Sequence, residues 1–211
     1  MSDPVGRLLR RPTGKNPPNT THTLMEFKPH ALYHVYNRGN NSQKIFFSYA
    51  NYLYFLKKVD THLLKHCDLL AYCLTPNHFH LLIETNANLP DDVINRAIQT
   101  ILNSYSQAIN KQENRTGSLF QQPSKAKFLE NNASYAETCF HYIHQNPLRA
   151  GLVRDIENWK FSSVKDYALL RNNKICNLRK ARLLFDIPDH GSAFLKLSNE
   201  VVSKENLDII I

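Results

Sequence analysis

Asp68-Leu-Leu-Ala-Tyr-Cys-Leu-Thr-Pro-Asn-His-Phe-His-Leu-Leu-Ile-Glu84 is the stretch from which the fold can be read. Two apolar runs flank Thr75-Pro76-Asn77, a turn signal, so residues 68–74 and 78–84 are expected to pair as a β-hairpin. Within the second run His78 and His80 are two apart. Side chains at i and i+2 of a strand leave by the same face, so both imidazoles emerge together while Phe79 faces the opposite layer.

Reading upstream, His30-Ala-Leu-Tyr-His-Val-Tyr36 alternates and predicts a strand that breaks at Asn37-Arg-Gly-Asn-Asn41. Tyr49 to Leu64 places Tyr52, Phe55, Leu56, Val59 and Leu63 on one helical stripe. Downstream, Leu89-Pro90-Asp91 opens a helix to about Asn110 with Val93, Ala97, Ile101 and Tyr105 along its face. Gly117–Gln121 and Lys125–Leu129 read as extended segments around Pro123. A last helix runs from Tyr135 to Asn146, capped by Asn132 or Ser134 and ending before Pro147. The order β-α-β-β-α-β predicts an α+β, ferredoxin-like antiparallel sheet with helices on one face, plus a further helix bearing Tyr142.

Three segments are expected: a basic N-terminal arm over 1–26, a principal domain over 27–155 and a basic C-terminal extension over 156–211 with no evident second core. The chain has 211 residues, with 26 Lys and Arg against 18 Asp and Glu, a net charge of +8. Such an excess raises the prior for a polyanionic partner. No apolar run reaches the roughly 18–20 residues of a membrane span, and Met1–Arg11 lacks a signal-type apolar core, so a cytoplasmic protein is expected. Cys67, Cys73, Cys139 and Cys176 form no C-x-x-C pair and read as buried structural thiols.

Two constellations carry possible chemistry. His78 and His80 can serve as paired ligands of a divalent cation or as hydrogen-bonded, partly buried histidines. Tyr142 and Asn146 are four apart in Tyr142-Ile-His-Gln-Asn146, about 40° apart around a helix. A phenol can attack phosphorus and an amide oxygen can complete a His-His-Asn site; equally, Tyr142 can pack and Asn146 can end the helix.

Taken together, Tyr72–Glu84 and Tyr142-Ile-His-Gln-Asn-Pro-Leu-Arg-Ala-Gly-Leu-Val153 resemble the single-tyrosine HUH transposases of insertion sequences, the IS200-like group, and their REP-associated tyrosine transposase branch. Tyr33–Gly39, Gly117–Gln121 and Trp159–Ser163 are similar to the same family. The resemblance implies cutting and rejoining of single-stranded DNA through a 5′-phosphotyrosine, on DNA recognised as a hairpin with an adjoining single strand. It implies Tyr142 as nucleophile, His78 and His80 as ligands of Mg²⁺ or Mn²⁺, and Asn146 as a further ligand. After Leu-Phe-Gln the chain departs from the family pattern, with Gln122-Pro-Ser-Lys-Ala126, where Lys125 and Lys127 can supply the positive charge. Arg38, Lys125, Lys127, Arg149 and the basic run Arg171–Arg182 are candidate DNA contacts. The protein is expected to act as a monomer or homodimer. Two rival functions are a non-catalytic DNA- or RNA-binding regulator that keeps the fold, and a phosphodiesterase using activated water.

The charge excess makes a prediction. Affinity for single-stranded DNA should fall with salt, each neutralised phosphate adding a slope of about −0.7 to log K against log salt. Removing residues 1–26 should weaken binding modestly; a salt-independent affinity measured by fluorescence anisotropy would contradict the electrostatic account.

Overall fold

The computed structural model of the protein describes residues 25–129, 133–172 and 175–200. Most of the N-terminal arm, the candidate cap Asn132, Lys174 and the last eleven positions lie outside the described residues. The element order is β1 (Leu32–Arg38), α1 (Tyr49–His62), β2 (Cys67–Thr75), β3 (His78–Thr85), α2 (Val93–Gln112), β4 (Lys125–Phe128), α3 (Ala133–Arg149), α4 (Val164–Tyr167), α5 (Leu178–Phe185) and α6 (Gly191–Glu200). The strands form one antiparallel sheet in the order β2-β3-β1-β4, which is the ferredoxin-like arrangement.

Strand alternation sends side chains into two separate cores. Tyr33 and Val35 of β1 and Phe79, Leu81 and Ile83 of β3 face α1 and α2. On that side Tyr52, Phe55, Leu56 and Val59 of α1 and Ala97, Ile101 and Tyr105 of α2 are all buried, as their spacing predicts. Asn51 fixes the start of α1, its Oδ1 accepting the backbone N–H groups of Phe47 and Ser48 at 3.0 Å each. The opposite face, with Leu82 of β3, is covered by α3. In β2 the register shifts between Leu69 and Ala71. The extra residue lets Leu70 and Ala71 both enter the α3-side core, while Leu69 and Tyr72 enter the other.

Two expectations need correction. First, α3 does not stop before Pro147 but runs to Arg149 with the proline inside it. Pro147 cannot make the N–H bond to the Ile143 carbonyl, a loss confined to the last turn of the helix. The turn then closes through Ala150 N–H to Asn146 O at 2.9 Å and Leu152 N–H to Pro147 O at 2.9 Å. Gly151, at φ +68°, provides the left-handed residue that ends it.

Second, the segment beyond 155 has a core to join. Val164, Tyr167, Ala181, Phe185 and Phe194 pack with Phe140 and Ile143 of α3 in the second core. No periodic run announced this, because α4 and α5 are only four and eight residues long. The segment also covers the exposed edge of the sheet: Ser162 bridges to Cys73, Leu74 N–H donates to Phe161 O at 2.9 Å, and Ser163 N–H donates to Tyr72 O at 3.0 Å. Three of its basic residues are anchored internally. Arg171 grips the buried Asp166 with two bonds of 2.6 and 2.9 Å. Lys180 pairs with Asp68 and Glu84 at 2.9 Å each, and Arg182 pairs with Asp189 at 3.1 Å. All four cysteines are buried and free. No described helix is long and apolar enough to cross a membrane.

The second core holds two histidines in neutral form. His141 Nδ1 meets Ser198 Oγ at 2.9 Å, and burial pushes its pKa down to about 4. His144 Nε2 meets Ser163 Oγ at 2.7 Å, and burial first, then His141, holds its pKa well below the ordinary imidazole value. Below about pH 6.5 the unfolded chain takes up protons that the folded chain refuses. Stability should therefore be fully present above pH 6.5 and decline as pH falls towards 4, by about 1.4 kcal/mol per pH unit for each such histidine. Urea unfolding between pH 7 and pH 5 checks this. His141→Asn, which can keep a bond to Ser198 without titrating, should flatten the slope by about one proton.

Candidate active site

The site is built where β1 and β3 pair. The register sets Tyr36 opposite His80 and Arg38 opposite His78, and β4 sets Lys125 opposite Tyr36 and Lys127 opposite His34. Directly opposed residues share a sheet face. His34, Tyr36, Arg38, His78, His80, Lys125 and Lys127 therefore all emerge on the side covered by α3. Tyr142 and Asn146, one turn apart on α3, come down onto this row.

Asn146 is the junction. Its Oδ1 lies 2.7 Å from Nε2 of His78, and its Nδ2 lies 3.2 Å from Nε2 of His80 and 3.4 Å from the Tyr142 hydroxyl. The other nitrogen of each histidine is also occupied. Nδ1 of His78 faces Asn77 Oδ1 at 2.7 Å, and Nδ1 of His80 faces Nε2 of His34 at 2.8 Å. The rings of His80 and Tyr142 meet edge to face with centroids 5.7 Å apart.

Burial dominates the electrostatics. It lowers the pKa of His78, which the bond to Asn146 partly offsets and the Arg38 charge reinforces. His80 lies well below the ordinary value through burial, then His34, His78 and Arg38. His34 is pushed down to about 3 by burial and by Lys127. Tyr142, only 6% exposed, has its pKa raised by burial; the bond from Asn146 and the charge of Arg149 act in the opposite direction. At neutral pH the site is a group of uncharged imidazoles beside a protonated phenol.

A cavity of about 350 Å³ opens over this group, bounded by Arg38, Tyr36, Lys125, Tyr142 and the segment Gln121–Pro123. Of the candidate DNA contacts, Arg38 and Lys125 line it. Lys127 lies one row along with its ammonium 5.3 Å from the Tyr135 ring centre, and Arg149 donates to Gln145 Oε1 at 2.8 and 3.2 Å. Tyr135, the other tyrosine near the start of α3, is not part of the cavity wall. Sequence reasoning missed His34 and Tyr36 as site residues. Their signal was present in the alternation of β1, but only pairing with β3 reveals which face they share with His80.

Among the described residues no three His, Cys, Asp or Glu side chains are placed to hold a metal ion. A cation site here therefore needs the amide of Asn146. Two imidazole nitrogens and one amide oxygen form an open, half-complete ligand set, compatible with a cation whose remaining ligands are water or phosphate oxygens.

A four-stranded ferredoxin-like sheet with a histidine pair on one face and a tyrosine helix laid over it defines the architecture. Residues 27–146, more than half of the chain, match the family described as "Transposase IS200 like". The protein belongs to that family of transposases. It is also similar in fold to a REP-associated tyrosine transposase solved bound to a REP hairpin, with a TM-score of 0.57 and 13% identity over 75% of this chain and 98% of that one. No curated protein sequence matches it significantly.

Proposed function

We propose that the protein is a divalent-metal-dependent transposase that cleaves and rejoins single-stranded DNA through a 5′-phosphotyrosine on Tyr142. The observation that carries this reading is the double contact of His78. Its Nδ1 and its Nε2 each face an amide oxygen at 2.7 Å, from Asn77 and Asn146 respectively. A neutral imidazole has one N–H and can donate to only one of them. Asn77 is oriented by its own Nδ2 donating to Ser42 O at 3.3 Å, which makes Asn77 Oδ1 the natural acceptor of the Nδ1 proton. Nε2 of His78 and Oδ1 of Asn146 are then two lone-pair donors turned towards each other. Burial disfavours a second proton on His78, and a divalent cation is the group that satisfies both.

His78, His80 and Asn146 would hold the cation, Mg²⁺ or Mn²⁺. When bound, the cation polarises the scissile phosphate and stabilises its developing charge. The chain's own groups do the rest. Tyr142 attacks phosphorus through its hydroxyl oxygen and gives up the phenolic proton to water, and the departing 3′ oxygen takes a proton from water in return. The bond from phosphorus to the 3′ oxygen breaks, leaving a 3′-hydroxyl on one strand and the 5′ phosphate on Tyr142. Asn146 Nδ2 stabilises negative charge on the phenolic oxygen as it forms. Because the ester is retained, a second 3′-hydroxyl can attack the phosphotyrosine, regenerate the phenol and join strands without ATP. Arg38 and Lys125 in the cavity wall supply positive charge for the backbone on either side of the cut. The substrate is DNA carrying a hairpin, the element to which the structural relative is bound, with an adjoining single strand that supplies the scissile phosphate.

A denaturing gel of a labelled hairpin oligonucleotide incubated with protein and Mn²⁺ tests the reading. Wild type should give a covalent adduct that EDTA prevents. Tyr142→Phe should keep the fold and hairpin affinity but form no adduct. His78→Ala and His80→Ala should each lower cleavage by at least about 10²-fold, the scale of losing an electrostatic stabiliser. Tyr135→Phe and Tyr36→Phe are matched controls and should still form adduct. Free cleaved product without adduct would favour activated water, and adduct mapped to Tyr36 or Tyr135 would overturn the nucleophile assignment.

A further inference from the structure

His34 has no place in the reaction as described, yet it is buried against the rings of the site. It is 1% exposed and stacks against Tyr36, with centroids 4.7 Å apart at 25°, and against His80, with centroids 5.0 Å apart at 20°. Its Nε2 sits 2.8 Å from Nδ1 of His80. Two neutral imidazoles in that contact share one proton, and only two arrangements exist. If His34 donates, the proton of His80 lies on Nε2 and that nitrogen has no lone pair for a cation. If His80 donates, its Nε2 is a free lone pair.

Asn146 distinguishes the two. With its Oδ1 against His78, its Nδ2 is directed at Nε2 of His80 from 3.2 Å. An amide N–H requires an acceptor there, so the proton of His80 belongs on Nδ1 and is donated to His34. The proton of His34 is then on its own Nδ1, which is buried without a partner. An orphaned buried donor calls for an explanation. Here it accompanies the only arrangement that leaves His80 able to bind a cation.

We propose that His34 is a positioning residue: its Nε2 accepts the Nδ1 proton of His80, fixes that ring and directs the Nε2 lone pair of His80 towards the divalent cation. This rests on the metal-dependent reading above and extends it to a residue outside the ligand set. Asn77 does the same for His78 from the turn between β2 and β3, so each ligand histidine has its own orienting partner.

The test is Mn²⁺ affinity of the full chain, read from the EPR signal of free Mn²⁺ and requiring no turnover. His34→Phe keeps a flat ring but has no acceptor. His34→Gln places an amide oxygen near the position of Nε2. The dissociation constant should rise about 10–100-fold in His34→Phe and stay within about 3-fold of wild type in His34→Gln. Thermal midpoint and affinity for a synthetic tailed DNA hairpin in EDTA should hold in both. Wild-type Mn²⁺ affinity in His34→Phe, or equal loss in His34→Gln, overturns the proposal. His80→Ala separates the two levels. If His80→Ala loses Mn²⁺ and His34→Phe does not, only the role of His34 falls. If wild type binds no Mn²⁺, or His80→Ala binds like wild type, the metal assignment falls and the role of His34 with it. Should His34→Phe not fold, long-range ¹H–¹⁵N spectra of wild type decide: the proton of His80 is expected on Nδ1, and finding it on Nε2 overturns the proposal.

Discussion

The antiparallel pairing of β1 with β3 is the constraint on which the rest of the molecule depends. Its register puts Tyr36 against His80 and Arg38 against His78, so the residues of one cross-strand row share a face. A slip of one residue would send His34, Tyr36 and Arg38 into the apolar core under α1 and α2, and bring Tyr33 and Val35 to the site. The register is strongly specified because that apolar face is fully buried. Packing on one side of the sheet thus determines chemistry on the other.

The second layer exists to hold α3. Tyr142 and Asn146 meet the sheet only because Phe140 and Ile143 on the same helix are fixed in a core shared with α4, α5 and α6. The bidentate grip of Arg171 on Asp166, with Nη2 also donating to the Tyr72 hydroxyl at 3.0 Å, ties that layer back to the sheet edge. The positive charges of Arg171, Lys180 and Arg182 are committed to structure. Arg38 and Lys125, by contrast, line the cavity. Net charge therefore describes the molecule poorly until each cation is placed.

Much of the architecture was legible in order and spacing. The hairpin 68–84 carries its own turn signal, the stripe on α1 has helical period, and the alternation of β1 has strand period; each is a local pattern that local physics enforces. The pairing of His78 with His80, and of Tyr142 with Asn146, follows from the periods of strand and helix alone. The extent of α3 was misjudged because a proline near a helix end costs one hydrogen bond rather than the helix. The C-terminal helices were illegible because they are short and stabilised by contact with α3, not by a long periodic face of their own.

What the sequence by itself determined is therefore which side chains share a strand face or a helix face, and the family whose motifs they match. What only the tertiary structure decided is which faces meet. Nothing in the local pattern says that Asn146 reaches both His78 and His80, that His34 stands behind His80, or that Lys180 serves Asp68 and Glu84 rather than a ligand. Those contacts join residues 46 to 112 positions apart in the chain. They are made by sheet register and helix packing, which depend on the whole buried interior and not on any one segment.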